Sequence, residues 1–457
     1  MQRLLAITWL TWKAALRFRL FWVITILLIG FVAILPIVIK DDGTARGFTQ
    51  ILLTYTLSAV TALLGLCTLW LSCGTLARDI EDNHMQVVAV KPVARWQIWL
   101  GKWLGLVTLD AVLLAVAGVC IAFLLHWRGQ KLPENQQRIL REEVLVARGS
   151  LKEAKPFDLE SEVERIFRER TKETPLNPAA AAVVKNQLRE ALKADVVGPG
   201  YMRRWKMDLG LRKNFLRGQP LFVRFKFYAA STNELGTYYI HLEAGPPGSP
   251  QTQIIDKTFA DNAFHEIRLE PNLWDPAGIL TVDLHNRDRV ALAFPIDEGF
   301  EVLYREAGFG LNFARGLCII LCWLALLAAI GLAAASFLSF PVAAFVSASL
   351  MVVALSSGTL ASSVESGTVM GVNEETGESG KSIIDQALIP MFKVMLKVFK
   401  LVESFSPIDS LSTGRSIEWT TVSLAFLQIV LLLGGLVALF GIAMFTRREL
   451  AAASTHS

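Results

Sequence analysis

Residues 127–310, the longest polar stretch of the chain, contain no cysteine. The five cysteines, Cys67, Cys73, Cys120, Cys318 and Cys322, all fall inside apolar runs. A disulfide framework in the polar stretch is therefore excluded, and pairing gives no reading of redox compartment. Cys318 and Cys322 stand one helical turn apart; that spacing is open to a metal or redox pair, but small residues facing lipid or a neighbouring helix are the expected use. An excess of one charge is missing too. The 45 Lys and Arg against 41 Asp and Glu leave +4, too little for a nucleic-acid footprint, so no nucleic-acid partner is expected. The N-terminal stretch lacks a small-residue cleavage site after a short apolar core, which argues against a removable signal peptide.

Catalytic motifs are absent as well. His265-Glu266 is followed by Ile267, Arg268 and Leu269, so there is no H-E-x-x-H, and no G-x-S-x-G occurs. GESGKS, Gly377 to Ser382, ends like a phosphate-binding loop. The full pattern needs glycine five residues before Gly380, where Glu375 stands, and Glu374, Glu375 and Glu378 would repel phosphate. An acidic turn is the expected reading. The histidines His84, His126, His241, His265, His285 and His456 are scattered. His241, His265 and His285 share the strand-rich part and could meet across strands as a metal site. Their spacing does not show that, and ordinary strand histidines are expected. The chain is read as a non-enzyme that itself holds no metal or cofactor.

What is present is apolar residue in blocks. The chain is 53% hydrophobic and 19% charged, with a mean hydropathy of +0.43, beyond the usual range of soluble domains. About 20 apolar residues cross a bilayer. Six runs reach or approach that length: Leu20–Ile39, Ile51–Ala77, Leu104–Leu125, Leu317–Phe337, Pro341–Leu360 and Thr421–Phe445. The expected fold is an α-helical integral membrane protein with six transmembrane helices and a large extracytoplasmic α+β insert. Residues 1–19 read as an interfacial amphipathic helix carrying Trp9 and Trp12 on one face. Residues 20–126 hold spans one to three with a cytoplasmic loop at 78–103. Residues 127–310 form the insert, helical over 127–199 and β-sandwich-like over 200–304. Residues 311–360 hold spans four and five, joined by the tight turn Ser339–Pro341. Residues 361–419 form an outer segment whose interfacial helix aligns Lys393, Lys397 and Lys400 and contains Pro390. Residues 420–457 are span six and a cytoplasmic tail.

Basic residues give the orientation. Arg3, Lys13, Arg17, Arg19, Arg78, Lys91, Arg95, Lys102, Arg447 and Arg448 fall on one side, against Lys40 and Arg46 in the first opposite turn. The positive-inside rule then places both termini in the cytoplasm. In the insert, LFVRFKFYA (Leu221–Ala229) alternates at period two, and TYYIHLE, HEIRLE, ILTVDLHN and VALAF follow between turn clusters such as AGPPGSP, the pattern of an antiparallel β-sandwich. Trp205, Tyr238, Tyr239 and Trp274 could stack on sugars, but core packing is their expected use.

The most informative polar stretch is Arg78 to Lys102. Asp79, Glu81 and Asp82 lead it, Lys91-Pro92 breaks it, and Arg95 and Lys102 close it. Trp96, Trp99 and Trp103 recur on one helical face, which fits a short helix on the inner membrane surface ahead of the third span and fits packing against a partner protein equally well. Asp110 lies within that span. An intramembrane acid is a functional candidate; the alternative is a side chain that reaches the inner interface or bonds a neighbouring helix. Arg315 is expected to anchor at the outer headgroups.

Asp79-Ile80-Glu81-Asp82, then Val90-Lys91-Pro92-Val93-Ala94-Arg95-Trp96-Gln97-Ile98 and Gly101-Lys102, together with the turn Leu338-Ser339-Phe340-Pro341-Val342, resemble the permease subunits of type-2 ABC exporters. The likeness covers 1–126 and 311–457, and Asn83-His84-Met85 stand where the family carries small residues. It implies a permease in the cell (inner) membrane that dimerises with itself or a homologous permease. A separate ABC ATP-binding subunit would use ATP and Mg. That subunit would dock on the 78–103 loop through Asp79, Glu81, Asp82, His84, Pro92 and Arg95. The second reading is a membrane-anchored cell-envelope binding or scaffold protein that meets an envelope protein or glycan through its sandwich. Membrane lipids are partners in either case.

Overall fold

A computed structural model describes residues 2–17, 19–38, 43–82, 93–153, 159–171, 184–185, 187–189, 192–231, 233, 235–296, 299–356, 364 and 383–448. The chain forms two units, Met1–Val146 with Gly308–Ser457, and Ala147–Ala307.

The first unit is helical. Its elements are α1 (Gln2–Arg17), α2 (Arg19–Val38), α3 (Ala45–Glu81), α4 (Arg95–Gly129), α5 (Glu134–Ile139), α7 (Phe309–Ala335), α8 (Phe340–Leu355), α9 (Ile383–Glu403), α10 (Pro407–Ser412) and α11 (Trp419–Arg447). α6 (Leu159–Thr171) belongs to the second unit. Among the described residues, four helices are long and apolar enough to cross a membrane, namely α3, α4, α7 and α11; α1 and α2, bent by 75°, make a fifth if taken as one span. Six were expected. The difference lies partly in α8, apolar but only 16 residues long among the described residues, short of the roughly 20 a bilayer requires.

α1 is amphipathic as its sequence requires. One face packs on α4: Thr8 Oγ1 donates to Gly101 O at 3.2 Å and Trp12 Nε1 to Thr108 Oγ1 at 2.9 Å. A Cβ on Gly105 would stand 2.6 Å from Thr11 Cβ, so the glycine sets how close the two helices come. Trp9 stays exposed under the Lys13 ammonium. α7 ends at Ser336 and α8 begins at Phe340 with Pro341 in its first turn. Proline fits there because a first-turn residue has no intrahelical N–H bond to lose. The tight fourth-to-fifth turn is thus where the sequence put it.

Two boundaries move. α3 runs to Glu81 and α4 starts at Arg95, so the connection expected over 78–103 shrinks to 82–94. The tryptophan-bearing segment is no separate surface helix but the first turns of α4. Trp99 is 1% exposed and Trp103 Nε1 donates to Ala325 O at 2.9 Å; only Trp96 faces outward. A tryptophan face serves a membrane surface and a helix interface equally well, and here α7 and α11 take it.

Among its described residues, the segment 127–199, expected to be helical, holds strands as well as helices. After α5 and one π turn over Leu140–Val144 come strand β1 (Val146–Leu151), α6 and β2 (Ala194–Val197). β1 pairs with the far-off β11, a tertiary contact that no local period announces. α6 carries an i,i+4 pair, Glu164 with Arg168 at 3.9 Å.

The second unit holds β3 (Met202–Asp208), β4 (Leu221–Phe225), β5 (Tyr228–Ala229), β6 (Thr237–Ala244), β7 (Gln253–Ala260), β8 (His265–Leu269), β9 (Ile279–Asn286), β10 (Leu292–Pro295) and β11 (Phe300–Gly308). They form three sheets, β1-β11-β4-β8, β2-β10-β5 and β3-β9-β6-β7. The described pairings are antiparallel. The alternating runs in the sequence fall on β4, β6, β8, β9 and β10. One core lies between the sheets, built from inward residues such as Val223, Phe225, Ile240, Leu242, Val282 and Val302. Trp205 and Tyr238 join it as expected, and Tyr238 Oη donates to Ser231 O at 2.8 Å. The loop between β6 and β7, which holds AGPPGSP, turns on Gly248 at φ +74°. Two ion pairs are buried with the strands, Arg148 with Glu266 at 2.8 Å and Arg224 with Glu301 at 3.7 Å.

Candidate functional site: the helix ends around residues 82–94

Of the charged residues picked out in the sequence, Asp79, Glu81, Arg95 and Lys102 gather where α3 ends and α4 begins, and these four are engaged within the fold. Asp79 Oδ2 accepts from Lys102 Nζ at 2.6 Å, and the same ammonium donates to Thr75 O at 2.7 Å. Lys102 is buried, so this pair clamps α4 to α3. Glu81 Oε1 accepts from the Phe340 N–H at 2.9 Å. That amide is one of the orphan donors at the N-terminus of α8, and a carboxylate there also meets the positive end of the helix dipole. The Arg78 guanidinium lies 4.4 Å over the Phe340 ring, which in turn stands edge-on to Trp70 at 5.2 Å.

Arg95 performs the converse task. Its Nη1 faces the carbonyl oxygens of Phe445, Thr446 and Arg448 at 3.0, 2.7 and 2.9 Å. These are carbonyls at the C-terminus of α11, left without intrahelical donors. Arg448 Nη1 reaches toward Ala335 O and Ser336 O, at 3.5 and 3.4 Å, where α7 ends. α3, α4, α7, α8 and α11 are therefore tied at one end by side chains of the 78–102 stretch and Arg448. Asp82 is exposed, and its backbone N–H closes α3 onto Arg78 O at 2.8 Å. His84, Pro92 and the GESGKS stretch lie outside the described residues.

The charge-assisted bonds from Arg95 have a measurable expected worth. Removing them in Arg95→Ala should loosen the last turn of α11 by about 2 kcal/mol. Amide exchange over residues 443–447 should then rise about 30-fold, read by hydrogen–deuterium exchange. Unchanged exchange would show that the α11 end is held by other contacts.

Asp110 is buried between α3 and α4, and both carboxylate oxygens lie 2.9 Å from Thr68 Oγ1, so it bonds a neighbouring helix instead of reaching the interface. Arg315 departs from expectation. It is buried, its Nη1 donates to Ile417 O at 2.9 Å, and its guanidinium lies 4.9 Å over the Trp419 ring. Beside it, Asn312 Nδ2 donates to Arg415 O and Asn312 Oδ1 accepts from the Ile417 N–H, both at 2.7 Å. These two residues of α7 hold the start of α11. Asn312 gave no signal in the sequence beyond being a lone amide at the edge of an apolar run.

Among the strand histidines, His241 and His285 come together, ring centroids 5.3 Å apart. His265 sits elsewhere, among Phe225, Phe227 and Phe259. Burial alone would lower the His241 pKa, but hydrogen bonds to Glu243 and Asp256 outweigh it and hold the ring above the ordinary histidine value. The Asp256 carboxyl is correspondingly held below the usual range, chiefly by the hydrogen bond from His241.

Long apolar helices tied at their ends define a multi-pass membrane protein. Residues 5–137 match the model of a family described as ABC-2 family transporter protein. The match runs from α1 through α4 into α5 and includes the whole 82–94 connection; it supports a type-2 ABC permease. Comparison with curated proteins and with solved structures gives no match.

Proposed function

We propose that this chain is the membrane permease subunit of an ATP-driven exporter, which moves or extracts its substrate when a separate ATP-binding subunit pushes on residues 82–94. One observation carries this reading: the connection lies inside the matched residues, and both of its ends are fastened. Asp79 with Lys102 joins α3 to α4, Glu81 joins α3 to α8, and Arg95 joins α4 to α11. A force applied to the connection therefore reaches four helices at once. The resemblance to type-2 ABC exporter permeases implies ATP and Mg used by the partner, a dimer with itself or a homologous permease, and an inner membrane; the distribution of basic residues supports both termini in the cytoplasm and residues 147–307 on the far side.

Asp82→Arg tests the docking, because Asp82 is exposed and its side chain is not part of the clamps. The variant is co-expressed with the ATP-binding subunit and purified in detergent. Permease-dependent ATP hydrolysis should fall about tenfold, the effect of a like charge at a complementary contact, while the permease keeps its elution profile. Full hydrolysis and co-purification would remove the 82–94 connection as the docking point.

A further inference from the structure

The sheet β3-β9-β6-β7 turns one face to the core and carries ionisable residues on the other. Along β6, Ile240, Leu242 and Ala244 are fully buried in the core, so Tyr239, His241 and Glu243 project from the opposite face. The register sets His285 of β9 beside His241, and Asp256 of β7 beside it on the other flank. We propose that His241, Glu243 and His285 form a binding site for a divalent transition-metal ion of the zinc class.

One donor atom from each of the three lies within 4.8 Å of the others. His241 is the best organised. Its Nδ1 is 2.7 Å from Asp256 Oδ1 and its Nε2 is 2.8 Å from Glu243 Oε1, and the side chain is 8% exposed. With Nδ1–H donated to Asp256, the Nε2 lone pair points at the Glu243 carboxylate. Two acceptors that face each other require a cation between them. A carboxylate that accepts from the far nitrogen of a ligating histidine is the usual outer support of such a site, fixing the tautomer and raising ligand basicity. Tyr239 Oη donates to the same Asp256 oxygen at 3.0 Å, which holds the carboxylate in place.

A proton on Nε2 would also satisfy His241 and Glu243. His285 distinguishes the two occupants, because a proton shared by that pair makes no use of a third donor, whereas two imidazoles and one carboxylate are a borderline-soft ligand set suited to zinc-class ions. Donors held 2.0–2.2 Å from one tetrahedral ion stand about 3.4 Å apart, so binding draws His285 inward. Two cations lie near the position. Arg204 is engaged by both oxygens of Asp283, each at 2.7 Å; Arg287 lies within electrostatic reach of His241 and Asp256 and opposes a bound cation, which the Glu243 and Asp256 carboxylates offset. Three protein ligands leave a fourth position for water or for a group on a partner.

The test uses the full chain in detergent, with an affinity tag free of histidine and cysteine. Protein stripped with EDTA is titrated with Zn(II) against a chromophoric chelator, and bound zinc is counted by mass spectrometry. The expected result is one zinc per chain, with binding weakened at least about tenfold in Glu243→Gln and His285→Gln and unchanged in His265→Gln. Asp256→Asn, a positioning change, should weaken binding about 10–100-fold. Co(II) should give a visible ligand-field spectrum in the unaltered protein that is lost in His285→Gln. Each variant is checked by elution profile and circular dichroism; should His285→Gln misfold, Glu243→Gln decides. Absence of stoichiometric zinc in the unaltered protein, or equal binding in the properly folded ligand variants, overturns the site.

Discussion

Leucine in place of Gly331 should leave almost no monodisperse protein in the detergent extract. Gly331 lies on α7 where it crosses α3. A Cβ there would stand 1.8 Å from Ser72 Oγ, 2.9 Å from Ser72 Cβ and 3.2 Å from Leu69 O. Rotating Ser72 answers only the first contact and breaks its bond to Leu69 O at 2.9 Å. The other two can be relieved only by separating the helices. Within a membrane, association rests on packing, and small residues are what allow two backbones to approach. Overpacking costs typically about 1–3 kcal/mol, and a whole leucine side chain at a backbone crossing belongs at or above the upper end. Fluorescence-detected size exclusion reads the result. Gly331→Ala should show a partial loss, and adding Ser72→Gly should recover much of it. A normal peak for the leucine variant would mean that the α3–α7 crossing is looser than these distances.

Trp205→Ala should have the largest effect in the strand unit. The indole stacks on Phe300 with centroids 4.1 Å apart and planes 1° from parallel, and meets Phe294 edge-on at 5.5 Å. β3, β10 and β11, which belong to three different sheets, thereby share one aromatic contact. Truncating a buried tryptophan costs about 3–5 kcal/mol, part of it the ring–ring attraction itself. The full chain should become sensitive to protease over residues 147–307 while the helical unit stays resistant, and Trp205→Phe should restore much of the protection. Unchanged protection in the alanine variant would show that the sheets are held together by other contacts.

These two sites also show what the sequence could convey. Long apolar runs and period-two strands are local patterns, and the helices and strands lie close to where those patterns put them. The turn before Pro341 was legible because proline and short length act locally. Span count was less so, since a bent pair and a 16-residue helix share the composition of full spans. The tryptophans of α4 were placed on a surface because amphipathic spacing does not say what the apolar face meets. The clamps were hidden for a similar reason. Asp79, Glu81 and Arg95 were visible as charges, but their partners are Lys102, a backbone amide at residue 340 and backbone carbonyls near residue 446. Backbone partners have no residue type and leave no mark on a sequence. His241 and His285 stand 44 positions apart and meet only through the β6–β9 register, which no spacing rule provides. The resemblance to exporter permeases and the match over residues 5–137 agree over the stretch from α1 to α4, which both include.

The unbroken course of α3 has a mechanical consequence. At 1.5 Å per residue its 37 residues extend about 55 Å, against a hydrocarbon layer of about 30 Å. The helix is therefore about 25 Å longer than that layer is thick and runs as a single unbroken beam. One end carries Glu81, fastened to α8. The other carries Ala45, packed with Leu140 and Val144, and Arg46, paired with Glu143 at 3.2 Å, immediately ahead of β1. On a beam of that length a tilt of about 5° carries the far end through about 5 Å. A rocking too slight to disturb the clamps at Glu81 is thus magnified to nearly a full helical turn where the chain leaves for the strand unit.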